Sequence, residues 1–353
     1  MMPTRLMPDA AVPDSPTAAS GRQLVLVVGV GRSGTSLASG ILGQLGLHIP
    51  QPEVSADETN PRGFGEPLWV VDFHTRLLEQ RYISVNDARP HALEITGRDA
   101  PVAEAQLREW LTEQFGVAEA LVVKDPRTIW FLPLWIRVAE QLGATTSFVT
   151  MLRHPAEIVT SARKYYGTRL SSAARAGAWI HLILHTEQAT RGARRAFVRY
   201  EDLLADWESE VRRIGAQIGS PLLAEVDRTQ HPAVEGFVDP TLHRNRVGWE
   251  SLEVPARVRD MADDVWEQLQ VLAQAGGDTE AVWPVLDARH EAYLEMYAEA
   301  EALAQSSVLA ARRREAAVAA AKLPPSLRVR IARRIPRQYR QQIRRALGAG
   351  RDG

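Results

Sequence analysis

The chain has 353 residues, 45% hydrophobic and 24% charged, enough to bury a large core as one big domain or two modest ones. It contains no cysteine, which excludes disulfides, thiolate metal sites and a cysteine nucleophile. The formal charge of −1 hides an asymmetry: residues 311–353 hold thirteen Arg or Lys against Glu315 and Asp352, a net +11 that leaves −12 on the rest.

In chain order, residues 1–21 are rich in proline and lack the apolar stretch of a signal peptide, so they read as a disordered leader. QLVLVV at 23–28 is a short apolar run ended by glycines, and helical spacing follows over 35–46, giving strand, glycine turn, helix. A proline- and glycine-rich loop at 48–66 leads into a helix near 67–80. Another helix is expected at 103–115, then a buried strand at 120–123 that stops at Lys124, and a helix near 130–142. A strand at 146–152 turns through Arg153, His154 and Pro155 into a helix at 156–166. Helix 172–190, strand 196–200 and helix 203–218 complete four strands ending in polar turns, the pattern of one parallel sheet with right-handed crossovers. After a loop through 220–256 come helices at 257–272 and 280–320, the continuity of the second being left open, and prolines 324, 325 and 336 divide the basic tail. The expected fold is α/β: a P-loop-like three-layer domain with a central parallel sheet and a helical C-terminal extension. Its expected division is leader 1–21, α/β domain 22–280, helical extension 281–321 and basic tail 322–353. No run approaches the roughly 20 apolar residues of a membrane span, so a cytoplasmic protein is expected. Its tail would touch an acidic partner, a membrane surface or a second copy of the chain. Nucleic acid is disfavoured as a partner, because the body is acidic and the tail lacks zinc-finger spacing or regular aromatic interleaving.

GVGRSGTS at 29–36 fits three templates. Gly29, Gly31 and Gly34 have the dinucleotide spacing, but the acids near Glu53 or Asp57 lie in a proline-rich loop rather than at a second strand end. Gly29, Gly34, Thr35 and Ser36 nearly match the nucleoside triphosphate loop, with Thr35 in the lysine's place and Arg32 as the nearby cation. Either way, turn amides and the following helix N-terminus suit an anion, with hydroxyls from Ser33, Thr35 and Ser36 in support.

The third template is a family. The stretch resembles the phosphosulfate loop of sulfotransferases that use 3′-phosphoadenosine-5′-phosphosulfate (PAPS), in the RSGT version of bacterial, carbohydrate and tyrosylprotein enzymes. The resemblance implies that Gly31, Arg32, Ser33, Gly34, Thr35 and Ser36 wrap the 5′-phosphate and sulfuryl group. In LRHPAEIVTSARKYY, Arg153 and Ser161 are similar to the pair that binds the 3′-phosphate. Tyr200 in RYEDL resembles the tyrosine bordering the nucleotide, and Lys124 in VVKDPR resembles the lysine at the sulfate bridge. Arg244 and Arg246 loosely resemble the basic element that closes the 3′-phosphate pocket, with Trp249 as a loop anchor. PAPS as donor, 3′-phosphoadenosine-5′-phosphate (PAP) as product and no metal requirement follow from the likeness.

The pattern departs from the small-alcohol branch, whose histidine base would fall at Pro126 and whose stacking tryptophan would fall at Leu37. The chain looks closer to the carbohydrate and tyrosylprotein branches, and that resemblance implies a glutamate base arriving after the first helix. Glu66, which ends NPRGFGE at a helix start, is preferred over Asp125, Glu58 and His74. Arg32 and Lys124 would stabilise developing charge. His181 and His185 have i, i+4 spacing but are read as helix-surface or packing residues, since residue 182 is leucine rather than the glutamate of a zinc motif. The acceptor, a hydroxyl (less readily an amine) of a small molecule, glycan or glycolipid, would meet aromatic surface from Phe64, Trp69, Phe73, Trp130, Tyr165, Tyr166 and Trp179. A P-loop nucleotide kinase and a non-catalytic nucleotide-binding interaction protein are the competing readings.

Overall fold

The computed structural model describes residues 21–322 apart from 58, 59, 61, 94–99, 168, 240–246 and 275–278. The leader before Gly21, Glu58, Arg244, Arg246 and the basic tail beyond Lys322 lie outside the described residues.

The four expected strands form one all-parallel sheet. β1 (Gln23–Val28), β2 (Ala120–Lys124), β3 (Thr145–Leu152) and β4 (Arg194–Arg199) lie in the order β2-β1-β3-β4. Strands buried on both faces need no polar alternation, which is why QLVLVV and ALVV read as continuous apolar runs. Alternate residues still serve different faces. Val25 and Val27 of β1, with Val122, Val149, Met151, Ala196 and Val198, pack on Leu37, Ile41 and Leu42 of α1 (Thr35–Gln44). The same layer holds Leu203 and Leu204 of α7 (Tyr200–Ala205) and Trp207, Val211, Ile214 and Ile218 of α8 (Trp207–Ile218). Leu24, Leu26, Leu121, Val123, Phe148 and Phe197 point to the opposite side and are fully buried there. The remaining helices before α7 are α2 (Leu68–Glu79), α3 (Ala100–Val117), α4 (Leu132–Gln141), α5 (Pro155–Tyr166) and α6 (Ser172–Ala189).

The region expected as loop through 220–256 contains two short helices, α9 (Pro221–Ala224) and α10 (Pro232–Phe237). Both begin at a proline, which a composition reading takes as a breaker but which suits a first helical position. α10 matters for the core because the Phe237 ring lies against Gly40 of α1 so closely that a Cβ there would overlap it. α11 is Ala256–Gln274, and α12 runs without a break from Trp283 to Lys322. The chain divides into two compact units, Met1–Tyr293 and Leu294–Gly353. The sheet belongs to the first, and the described part of the second is the continuation of α12. Among the described residues no helix is long and apolar enough to cross a membrane.

The strand order fixes where a ligand can sit. From β1 the chain moves to β2 on one side and then crosses to β3 on the other, so the loops after β1 and β3 diverge at the carboxyl edge. A doubly wound sheet opens its binding crevice at that switch point. The glycine turn follows β1, Lys124 closes β2 and Arg153 follows β3.

Candidate functional site

The glycine turn is shaped by three backbone conformations that side chains disfavour. Gly29 has φ +148°, and a Cβ there would come within 2.9 Å of the Met151 carbonyl oxygen. Gly34 has φ +100° and packs against the Tyr200 ring so tightly that a Cβ would overlap it. Arg32 adopts φ 77°, in the left-handed region despite its side chain. The turn delivers the chain into α1 with Gly34 as N-cap and no side-chain cap, so the first amides of the helix are left to another acceptor.

Around this turn lies a cavity of about 670 Å³, entirely within the first unit. Its lining includes Gly31, Arg32, Gly34, Thr35, Ser36, Glu66, Lys124, Arg153, Ser161 and Tyr200, so most of the residues singled out by the sequence converge on one space. Ser33 is buried behind the turn, and its Oγ has no hydrogen-bond partner among the described residues. Arg62, Arg127, Arg169 and Arg175 also line the cavity, making seven cationic side chains against one acid, Glu66, among the described residues. Such a bias, in a concave space with low-dielectric walls, favours a strongly anionic ligand.

Arg153 is held from two sides. Its Nε donates to Glu157 Oε2 at 2.8 Å one helical turn along α5, and its Nη1 donates to the Arg32 carbonyl at 3.2 Å, tying the β3 end to the glycine turn. The guanidinium lies 4.8 Å from the Tyr200 ring centroid. Its Nη2 is buried with no partner among the described residues, a donor that costs free energy unless a ligand accepts from it. Ser161, two turns into α5, accepts from Arg32 Nε at 3.1 Å, and Arg32 also sits 4.4 Å from the centroid of Tyr165. The two motifs thus meet directly, although 129 residues separate Arg32 from Ser161.

In the same cavity, Lys124 and Glu66 form a buried ion pair, Nζ to Oε1 at 2.5 Å, with side chains 2% and 10% exposed. Lys124 also donates to Ser36 Oγ at 3.1 Å. Glu66 is carried there because the strand-like loop pairs with its neighbour: Val54 N donates to the Glu66 carbonyl at 2.9 Å and Leu68 N to Pro52 O at 2.8 Å. Glu66 Oε2 makes no hydrogen bond among the described residues, and the residue lines the cavity.

Asp125, one residue beyond Lys124, does not line the cavity and is completely buried. Its Oδ1 accepts from Arg127 N at 3.1 Å and Arg127 Nη1 at 2.7 Å, and its Oδ2 lies 2.7 Å from His74 Nδ1. Burial works against its charge, but the His74 hydrogen bond and Arg127 outweigh that and hold the carboxyl below its usual range. The indole Nε1 of Trp135 donates to His74 Nε2 at 2.9 Å; an indole only donates, so the imidazole proton is on Nδ1 and points at Asp125. Neither Asp125 nor His74, both considered as bases, is brought to the cavity.

Of the aromatic candidates, Phe64, Tyr165 and Tyr166 line the cavity. Trp69 stacks on Phe73 and Trp110, Trp130 donates to Val85 O at 3.2 Å, and Trp179 is buried, all apart from that lining. Trp249 is anchored by its Nε1 on Asp263 Oδ1 at 2.7 Å. Sequence reading missed the cavity roles of Arg62, Arg127, Arg169 and Arg175, for which no local motif signals a shared space. Among the described residues no cluster of His, Asp or Glu is placed to hold a metal ion.

A family model described as "Sulfotransferase family" matches residues 24–225. Among solved structures, the sulfotransferase domain from the Synechococcus PCC 7002 olefin synthase is similar at 19% identity, covering 73% of this chain and 98% of that one with a TM-score of 0.42. Sulfotransferase STF1 from Mycobacterium tuberculosis H37Rv is similar at 17% identity, covering 62% and 72%, with a TM-score of 0.35. No curated protein matches.

Proposed function

The chain belongs to the sulfotransferase family, whose model spans residues 24–225, and on that premise we propose that it moves a sulfuryl group from PAPS to a hydroxyl of a small molecule, glycan or glycolipid. The observation that carries the donor assignment is the unpartnered, buried Arg153 Nη2 in a cavity wall shared with Ser161 and the glycine turn. A nucleotide with phosphate at both ends fits that wall: turn amides and the α1 N-terminus face one anion, Arg153 and Ser161 the other. Gly31 has open space where a Cβ would be, so the backbone offers close approach. When bound, the donor supplies the sulfuryl group and the phosphate that leaves from it.

Glu66 is proposed as the base. Its Oε1 is fixed by Lys124, and its Oε2 is the oxygen that would take the acceptor's hydroxyl proton within hydrogen-bond reach. Lys124, between Glu66 and Ser36, stands where one ammonium serves both the base and negative charge developing near the α1 N-terminus. Arg32 adds a second cation at the turn. Asp125 is proposed as a positioning residue, since both its oxygens are committed and it fixes Arg127 and the turn after β2.

The test is label transfer from sulfur-35 PAPS to a mixed panel of sugars, phenols and lipids, run beside γ-phosphorus-32 ATP. Sulfate label on an acceptor, abolished in Glu66→Gln, is the expected result. Phosphate transfer without sulfate transfer would overturn the reading in favour of a phosphotransferase.

A further inference from the structure

Arginines of the first unit that are nearly sealed from solvent have a carboxylate beside them, with one exception. Arg195 reaches Glu187 at 3.2 Å and Arg153 reaches Glu157 at 2.8 Å. Arg175, 6% exposed in the first turn of α6, has no carboxylate within ion-pair distance among the described residues. Its Nη2 donates to the Gly167 carbonyl at 3.0 Å, and its Nε is buried with no hydrogen-bond partner among the described residues. A guanidinium cannot shed its proton at ordinary pH, so it stays charged there. Burial pushes its pKa below the usual arginine range, and the nearby Arg163 adds repulsion. Leaving a buried cation uncompensated is costly, and an anion arriving through the cavity it lines would remove that cost.

Its place in the cavity says which ligand brings the anion. α6, which carries Arg175, packs against the turn Pro126–Phe131 that carries Arg127, and Tyr166, Arg127 and Glu66 line the cavity with Arg175; Arg127 also lies within the field of Glu66. Arg175 therefore belongs with Arg127 and Tyr166 toward Glu66, while Ser161, Arg32 and Tyr200 gather about Arg153. Arg169, exposed and without an ion pair among the described residues, lines the same space.

We propose that the Arg175 end of the cavity is an oxyanion subsite, and that the acceptor is a hydroxyl compound that also carries a carboxylate or a phosphate or sulfate ester. This rests on the reading above in which Glu66 marks the acceptor side. The planar guanidinium suits either oxyanion, since both match its fork. The subsite selects an acceptor already charged and holds it by a group other than the one that reacts.

The experiment is calorimetric titration of the full chain, saturated with PAP, with inorganic phosphate and separately with acetate, in wild type, Arg175→Gln, Arg175→Lys and Arg169→Gln. Wild type is expected to bind at least one of the two anions with PAP in place, phosphate alone or acetate alone telling which oxyanion the subsite takes. Arg175→Gln should weaken that binding at least tenfold while PAP affinity changes less than twofold, and Arg175→Lys should fall between. Neither anion binding to the PAP-loaded wild type, or equal binding in Arg175→Gln, would overturn the proposal. If Arg175→Gln does not fold, Arg175→Lys and the exposed Arg169→Gln decide, and anion affinity unchanged in both overturns it. If PAP itself fails to bind, the donor assignment falls; the same titrations on the unliganded chain then decide the subsite by whether Arg175→Gln removes one bound anion.

Discussion

Replacing Glu66 by Gln removes one partner of an ion pair in which the surviving Lys124 side chain is 2% exposed. Ser36 Oγ would be the ammonium's remaining hydrogen-bond partner. Breaking a buried pair from one side costs about 3–5 kcal/mol, because the remaining charge is desolvated without compensation. Lys124→Met strands Glu66, which is 10% exposed, so the cost should fall at the lower end of that range. The double variant removes both charges and should be more stable than the sum of the singles predicts, by a coupling of about 2–3 kcal/mol. In thermal denaturation, about 2–4 °C per kcal/mol for a domain near this size places Glu66→Gln roughly 10 °C below wild type. Urea denaturation of all four proteins gives the cycle directly. Activity separates the roles: Glu66→Gln should lower kcat by about 10²–10⁴ while PAP affinity is kept. Additive singles, with coupling under about 0.5 kcal/mol, would refute the reasoning by showing that Lys124 does not hold Glu66 in place.

Gly34→Ala should destabilise the protein by at least the roughly 1–3 kcal/mol of a strained backbone position, because φ is +100° and the Tyr200 ring occupies the Cβ space. Gly34→Ala with Tyr200→Ala should recover only the overlap part, as urea midpoints would show. His74→Phe leaves Asp125 Oδ2 and Trp135 Nε1 buried without their partner, at about 1–3 kcal/mol each, yet should retain kcat, unlike Glu66→Gln. Burial, with smaller repulsions from His185 and His290, lowers the His181 pKa to about 3. An unfolded histidine near 6.5 binds the proton more readily, so stability is full above about pH 6.5 and falls as pH drops toward the folded value. That predicts a loss of about 1.4 kcal/mol from His181 alone at pH 5.5, with His185, lowered to about 4 by burial, adding to it. His181→Phe, whose ring keeps the stack on Tyr293 at 5.5 Å, should flatten the pH dependence of urea stability between pH 7 and 5.

The parallel sheet was legible because its strands are short apolar runs closed by polar turns, each of which reports itself locally. Strand order was not, since nothing in QLVLVV says that it lies between ALVVK and the strand ending at Leu152. Arg153 and Ser161, which line the cavity, were singled out through the likeness of one motif to a family signature, and Glu66, which lines it too, through a glycine-rich entry to α2. Their partners could not be read this way: Lys124 meets Glu66 across 58 residues and Arg32 meets Ser161 across 129, joined only by the crossover topology. Asp125 shows the limit most clearly. Its sequence neighbour Lys124 lines the cavity, but the turn after β2 sends Asp125 inward to His74 and Trp135, a direction fixed by packing rather than by spacing. Arg175 has no motif at all, and only its sealed guanidinium, with no carboxylate in ion-pair reach among the described residues, marks it.

The central claim, that the cavity holds a 3′-phosphorylated adenosine nucleotide clamped by Arg153, is tested most directly by calorimetric titration with PAP, ATP and NAD in wild type and Arg153→Ala. The account predicts selective binding of PAP, weakened about tenfold or more in the variant, as expected for loss of a charged hydrogen bond of about 1.5–3 kcal/mol. Clear binding of ATP or NAD with none of PAP, or PAP affinity indifferent to Arg153→Ala, would contradict it.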